Sequence, residues 1–259
     1  MINKTHTDKY IEPTKIFGNL FFIGTPAVCT YLIDTGDGLI IIDPGDLEGF
    51  PVICDNIREL GFKLSDIKYI LVSHAHYDHM DSVAEFIRIS DAKLFIGRED
   101  LPLLEGTVFH YPINPFKPDF LIDDGDIISL GNTDITCVST PGHTDGTMSF
   151  FFNVSDKKSS YRAGMFGGTG TNTLTRDFLS EHNLPFENRQ KFMNSVKRLQ
   201  KEKVDIFLGS HLENNNTEEK LSILRSSDEN PFLLNGQAEW NTFLDGRLKR
   251  IMQIINENE

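Results

Sequence analysis

The chain has 259 residues, with 25 Lys and Arg against 38 Asp and Glu, a formal charge of 25 − 38 = −13. That balance argues against nucleic acid or an anionic membrane surface as a partner, but not against a small anionic substrate, because bound divalent cations invert the local potential. The length suits one large α/β domain over 1–259 with a substantial core.

No apolar run approaches the ~20 residues of a membrane span, and the polar start Met1-Ile2-Asn3-Lys4 lacks the h-region of a signal peptide. Cys29, Cys54 and Cys137 are odd in number, widely spaced and without any C-x-x-C. They read as reduced core thiols and point to the cytoplasm. A metal-ligating or nucleophilic Cys29 or Cys137 is the alternative, but neither has adjacent partners for that role.

Strands are predicted over 20–23, 30–34 and 39–43, separated by Gly-rich turns such as Thr35-Gly36-Asp37-Gly38. Asp43-Pro44-Gly45 ends that run, and 50–60 has helical spacing before Gly61. Asp43 is either a helix N-cap or turn residue, or an acceptor holding a metal-binding imidazole in one tautomer. The apolar run 67–72 reads as a buried strand. His74-Ala75-His76-Tyr77-Asp78-His79 follows it directly, where the chain turns. In extended chain, residues two apart point the same way, so His74 and His76 face one point. Asp78 and His79 lie past the bend and approach a second. Imidazole and carboxylate suit zinc and other first-row metals, and the cluster reads as a metal site rather than a His-rich polar loop.

A helix begins near Ser82, with Val83, Phe86 and Ile87 on one apolar face, followed by a strand over 93–96 and a short helix near 98–104. Residues 106–120 have no regular period: Pro112, Pro115 and Pro118 are interleaved with Phe109, Tyr111, Phe116 and Phe120. This is either a surface loop packed down by its own aromatics or a wall over the metal site. The second half repeats the plan, with strands over 126–130, 133–138 and 147–152, helices over 186–201 and 236–256, and a strand over 204–208 between them. Such repetition predicts two sheets face to face with helices outside, a four-layer αββα sandwich of the α/β class.

His143 follows a strand through Thr140-Pro141-Gly142, and His211 follows one through Gly209-Ser210. With the first cluster they make five His and one Asp, enough for two metals. His6 and His182 read as solvated, and His110, in the aromatic segment, is placed to line a pocket.

In order and over nearly the whole chain, from about residue 20 to 255, these landmarks resemble the metallo-β-lactamase superfamily. They are Ile41-Ile42-Asp43-Pro44-Gly45, His74-Ala75-His76-Tyr77-Asp78-His79, Thr140-Pro141-Gly142-His143-Thr144 and Gly209-Ser210-His211. The resemblance implies the αββα sandwich, with metals at one edge between the sheets. It implies His74, His76 and His143 as ligands of a first zinc and Asp78, His79 and His211 as ligands of a second. Most superfamily hydrolases add an Asp bridging both metals. The equivalent stretch here, Ala163-Gly164-Met165-Phe166-Gly167-Gly168-Thr169-Gly170, has neither Asp nor Cys. In this it resembles the third subclass of metallo-β-lactamases and their relatives, as do Ala238-Glu239-Trp240 and the helix that follows. Two departures stand out. Asp145 occupies the place before Gly146 where the family more often has Pro, and the Gly167–Gly170 stretch, a loop beside the metals, lacks the Lys of a phosphate cradle.

The implied activity is that of a dizinc hydrolase, in which a hydroxide held between the metals attacks a carbonyl polarised by the first zinc. Asp78 would orient that nucleophile and manage its proton, and the second zinc would stabilise the leaving anion. A β-lactam-like C–N bond is the leading substrate class. Another small ester, lactone, thioester or amide, with no physiological β-lactamase role, is the alternative. An iron redox enzyme of this fold would place a carboxylate at the His76 position, and a nuclease would carry a basic surface. A structural metal protein needs no open coordination position, whereas six ligands for two metals leave room for water.

Overall fold

Alternation along the strands sends successive apolar side chains to opposite faces, and in this chain both faces of both sheets find a partner. The computed structural model describes residues 9–104 and 116–257. Strands β1 (Thr14–Phe17), β2 (Leu20–Phe22), β3 (Tyr31–Asp34) and β4 (Leu39–Ile42) form an antiparallel meander. From β4 the sheet continues in parallel through β5 (Ile67–Val72), β6 (Lys93–Gly97) and β7 (Phe120–Ile122), seven strands in sequence order. Helix α1 (Phe50–Glu59) joins β4 to β5; α2 (Tyr77–Met80) and α3 (Val83–Ser90) join β5 to β6; α4 (Leu101–Leu104) follows β6. The second sheet has β8 (Ile127–Leu130), β9 (Thr133–Ser139), β10 (Met148–Ser155), β11 (Ser160–Met165) and β12 (Ile206–Leu208), in the order β12-β11-β10-β9-β8. Only β11 and β12 in it run parallel. Helices α5 (Arg176–Glu181) and α6 (Asn188–Leu199) precede β12, and α7 (Thr217–Ser226), α8 (Pro231–Leu234) and α9 (Gly236–Glu257) follow it.

Three apolar clusters separate four layers. Ile40, Ile42 and Leu71 of the first sheet meet Phe150, Phe152, Met165 and Leu208 of the second. On the outer face of the first sheet, Leu39, Ile41, Ile70 and Val72 pack against Ile53 and Ile57 of α1 and Phe86 of α3. On the outer face of the second, Phe151 and Phe207 pack against Phe192 of α6 and Trp240 of α9. This is why β4 is the uninterrupted run Leu-Ile-Ile-Ile: a strand covered on both faces has no polar side. The αββα sandwich is the fold the sequence leads one to expect.

Strands β1, β7 and β11 and helices α5, α7 and α8 go beyond the sequence reading. β11 contains Arg162 and Gly164 and lacks alternation, yet its pairing with β10 on one side and β12 on the other makes it a strand. The helix expected over 186–201 is shorter, Asn188–Leu199, because Phe186 and Glu187 belong to a turn in which Pro185 O accepts from Asn188 N. Of the aromatic segment 106–120, residues up to 115 lie outside the described residues, as do His6 and His110; its end, Phe120, opens β7. Among the described residues no helix is long and apolar enough to cross a membrane.

Trp240, fully buried, donates from Nε1 to Leu199 O at 3.0 Å and sits edge-on to Phe151 and Phe207. Trp240→Ala is expected to cost about 3–5 kcal/mol, from lost transfer energy plus the cavity left behind. The check is a lower urea midpoint, followed by circular dichroism at an unchanged slope.

Candidate metal centre

Every strand that feeds the site delivers its carboxyl end to one edge of the sandwich. In the first sheet β4 ends at Asp43, β5 at Ser73 and His74, and β6 just before Asp100; in the second, β9 leads to His143 and β12 to His211. The cluster after β5 is a tight turn, with His76 N donating to His74 O and His79 N to His76 O, both at 3.0 Å. Extended chain to His76 followed by one helical turn sends His74 and His76 one way and Asp78 and His79 another.

Two donor groups result. His74, His76 and His143 form one and Asp78, His79 and His211 the other, and within each group one ligand atom per residue lies within 4.8 Å of its fellows. The sequence reading placed these six residues in the same two sets. His74 and His79 rings, one from each group, are 4.1 Å apart between centroids. A cavity of about 280 Å³ opens over both groups, walled by Tyr77, Thr169, Gly170, Asn172, Thr173 and Phe178.

Whether these groups suit a cation is decided by where their protons are. Ser73 N and Ser73 Oγ both donate to the Asp43 carboxylate at 2.7 Å, so Ser73 Oγ accepts from His74 Nδ1 at 3.0 Å. His79 Nδ1 donates to Asp43 Oδ2 at 2.8 Å. Thr173 Oγ1 gives its proton to His143 O at 3.1 Å, so the His143 Nδ1 proton goes to Gly170 O at 2.9 Å. His211 Nδ1 donates to Ala27 O at 3.1 Å. In each ring the proton is committed at Nδ1 and Nε2 carries a lone pair. Two of these atoms, His74 Nε2 and His79 Nε2, are buried with no hydrogen-bond partner. His143 Nε2 and His76 Nδ1 face each other at 3.0 Å. Two nitrogens on one tetrahedral zinc lie about 3.4 Å apart for Zn–N distances of about 2.1 Å. Asp78 Oδ2 stands 3.6 Å from His79 Nε2 and 3.8 Å from His211 Nε2. Converging lone pairs, unpartnered buried nitrogens and one carboxylate are a donor set that fits zinc.

Electrostatics agrees. Burial, then the neighbouring imidazoles, drives His74 and His143 well below the ordinary range and His76 down to about 3; burial also lowers His211. These rings are neutral, as a ligand must be. Burial pulls His79 down too, but the Asp43 and Asp78 carboxylates outweigh it and raise that ring.

Asp43 is at once a turn residue, with φ at +52, and the acceptor of the His79 Nδ1 proton, but not a helix cap: α1 starts at Phe50, with Gly49 before it. His182, expected in solvent, is half-buried and lies against the Phe178 ring with centroids 4.3 Å apart. Sequence reasoning missed Ser73, Thr173 and Asp100. The only local signal for Asp100 is its place past the end of a parallel strand, as with Asp43, and its charged neighbours Arg98 and Glu99 mask it as a surface acid. The Gly167–Gly170 stretch is the expected loop beside the donors. A Cβ at Gly170 would lie 2.9 Å from His143 Cε1, and the missing side chain lets Gly170 O reach that ring.

Comparison with known proteins agrees over different lengths of chain. The FEZ-1 metallo-β-lactamase of Legionella gormanii is 28% identical, with a TM-score of 0.88 over 97% of this chain and 98% of that one. BJP-1, a subclass B3 metallo-β-lactamase of Bradyrhizobium japonicum, is 28% identical, with a TM-score of 0.88 over 99% and 98%. Among curated proteins, a probable polyketide biosynthesis zinc-dependent hydrolase of Bacillus subtilis is 30% identical over 93 residues, 35% of this chain and 37% of that protein. A hydroxyacylglutathione hydrolase of Aliivibrio fischeri is 31% identical over 129 residues, 49% and 43%. The chain spans between 34% and 43% of the length of the first such relatives it matches. The family model for the metallo-beta-lactamase superfamily matches residues 24–156, which contain Asp43, the His74–His79 turn and His143. Fold, site and family match agree, and the chain belongs to the metallo-β-lactamase superfamily.

Proposed function

We propose that the protein is a dizinc hydrolase that opens a β-lactam-like C–N bond. The observation that carries this reading is the second donor group. Asp78, His79 and His211 share no residue with the first group, and Asp78 is the one carboxylate among the described residues lining the cavity over both. That is the arrangement expected of the third subclass, and BJP-1, matched over 99% of this chain, is a subclass B3 enzyme.

In this reading His74, His76 and His143 hold the first ion and Asp78, His79 and His211 the second. Zinc ions, when bound, supply Lewis acidity toward a carbonyl oxygen and bring the pKa of water to about 7. The chain's own residues do the rest. Asp78 is the catalytic residue: Oδ2 faces His79 and His211, which leaves Oδ1 to orient the attacking water, take its proton and return it to the leaving nitrogen. Tyr77, 47% exposed, and Phe178 offer flat apolar contact to a small substrate on the cavity wall. The −13 charge supports a small molecule over a nucleic acid as partner. Free buried thiols at Cys29, Cys54 and Cys137 support a cytoplasmic location, and a core shared by both sheets supports one domain over 1–259.

A thioester or lactone is the second reading, favoured by the partial match to a hydroxyacylglutathione hydrolase. Turnover of the zinc-loaded chain on a panel of β-lactams, lactones and thioesters separates the two. Turnover of a chromogenic cephalosporin that is lost on chelation and restored by zinc is expected; activity on thioesters or lactones alone transfers the assignment to the second reading.

Asp78→Ala is expected to lower kcat by about 10²-fold or more and to reduce bound zinc from two ions per chain to one by elemental analysis. Full activity with one ion would overturn the role given to Asp78. Asp43→Asn is expected to weaken zinc binding about 10–100-fold, because it unsettles His74 and His79 together; competition with a chromophoric chelator measures it.

A further inference from the structure

Asp100 is fully buried just past β6, and neither the donor groups nor the proton transfers above use it. Its Oδ2 accepts from Ala75 N at 2.7 Å and from Thr144 Oγ1 at 2.9 Å, and its Oδ1 accepts from Gly146 N at 2.7 Å. Ala75 is the residue between His74 and His76, and Thr144 directly follows His143. One carboxylate at the end of a third strand thus grips both turns that build the three-histidine group.

The fit is close. A Cβ on Gly146 would lie 2.3 Å from Asp100 N, and one on Gly97 would lie 1.9 Å from Gly146 O. The turn after His143 is pressed backbone to backbone against the end of β6. Thr144 Oγ1 lies 2.7 Å from Thr147 Oγ1 as well as within reach of Asp100, so a proton from Thr147 frees the Thr144 proton for the carboxylate. Burial pushes the Asp100 carboxyl up to about 6, against the pull of its donors. A residue serving only to fill this space would be better apolar, because burying a carboxylate costs free energy that packing does not return.

We propose that Asp100 is a positioning residue for the first cation, clasping the His74–His76 and His143–Gly146 turns at the separation that three imidazoles need to share one ion. The inference rests on the assignment of His74, His76 and His143 as ligands. The separation concerned is the 3.0 Å between His76 Nδ1 and His143 Nε2. The two rings come from different sheets, and the clasp adds two direct hydrogen bonds across that division, from Thr144 Oγ1 and Gly146 N. The bond from Ala75 N ties Asp100 to the His74–His76 turn within the first sheet. The second group lacks such a bond to Asp100 and is held instead through Asp43 and Ala27 O.

The test is cobalt(II) binding by the full chain after removal of its metal, with a chromophoric chelator in competition. His211→Ala isolates the first group and His143→Ala the second. Asp100→Asn keeps the shape but turns a donor toward one of the two backbone N–H groups, that of Ala75 or that of Gly146. Its first-group affinity is expected to fall about 10–100-fold with second-group affinity unchanged. Thr144→Val should weaken the first group in the same direction, and Thr144→Ser, which retains the hydroxyl, should bind as the parent does. If Asp100→Asn does not fold, the Thr144 pair carries the test. Unchanged first-group affinity in the folded variants, or equal loss at both groups that Thr144→Ser fails to restore, overturns the clasp. A parent chain that takes up two cobalt ions alongside unaffected variants overturns this inference alone. A parent that takes up none overturns the proposed function as well.

Discussion

The Asp43 carboxylate is the interaction on which the rest of the site depends. It is fully buried with φ at +52, a backbone region that costs a residue with a side chain about 1–2 kcal/mol. A buried carboxylate is costly in its own right unless several donors meet it. Here Ser73 N, Ser73 Oγ and His79 Nδ1 do so. The two Ser73 bonds hold the end of β4 to the end of β5, and the third holds the far side of the His74–His79 turn. Around it the Asp43-Pro44-Gly45 turn is tied in place: Ser82 Oγ donates to Pro44 O, and Gly45 N to His79 O. Through Ser73 the same carboxylate reaches His74. One anion therefore sets the tautomer of a ring in each donor group, and the two groups are coupled before any cation arrives.

Such a site trades stability for readiness. Five imidazoles are gathered beside one another, with His74, His79 and His143 at 1%, 1% and 8% exposure. Burial and mutual repulsion keep His74, His76 and His143 neutral. The unpartnered His74 Nε2 and His79 Nε2 each forfeit about 1–3 kcal/mol of solvation. A divalent cation offsets these terms at once, and since the unfolded chain has no such site, its binding free energy adds to folding stability. The hydrogen bonds at Nδ1 of His74, His79, His143 and His211 hold those four rings in place beforehand, so little ordering of them remains to oppose binding.

Strand ends were the legible part of the sequence. The His74–His79 cluster and His211 each follow an apolar run that is a parallel strand, where ligands are expected at the carboxyl end. His143 follows the antiparallel β9 and was legible from its Thr140-Pro141-Gly142 turn. The four layers were legible because the second half repeats the strand-and-helix plan of the first. What stayed hidden depends on partners far away in the chain. β11 is a strand only because β10 and β12 flank it, and nothing local in Ser160-Tyr161-Arg162 announces that. Ser73 is one residue of a polar turn until Asp43, 30 positions earlier, is brought against it. Asp100 reads as a surface acid in Arg98-Glu99-Asp100 and is buried only because Gly146 lets a second turn close over it. Donors declare themselves by residue type, whereas the groups that aim donors are ordinary residues defined by contact.

The division of donors between the sheets has a mechanical consequence. His74, His76, Asp78 and His79 hang from the first sheet, while His143 and His211 come from the second, one to each group. Each ion would therefore be a cross-link between sheets whose interface is otherwise apolar and without directional preference. Apolar contacts tolerate small sliding, but a coordination shell tolerates only about ±0.2 Å in ligand distance. Something directional must hold the sheets in register at this edge. Tyr31 Oη to Gly209 O at 2.8 Å, Met148 N to Ser73 O at 2.7 Å and the Asp100 bonds to Thr144 and Gly146 all cross between the sheets within a few residues of a donor. The hydrophobic layer supplies the association, and these few polar bonds fix its registry where the chemistry needs it.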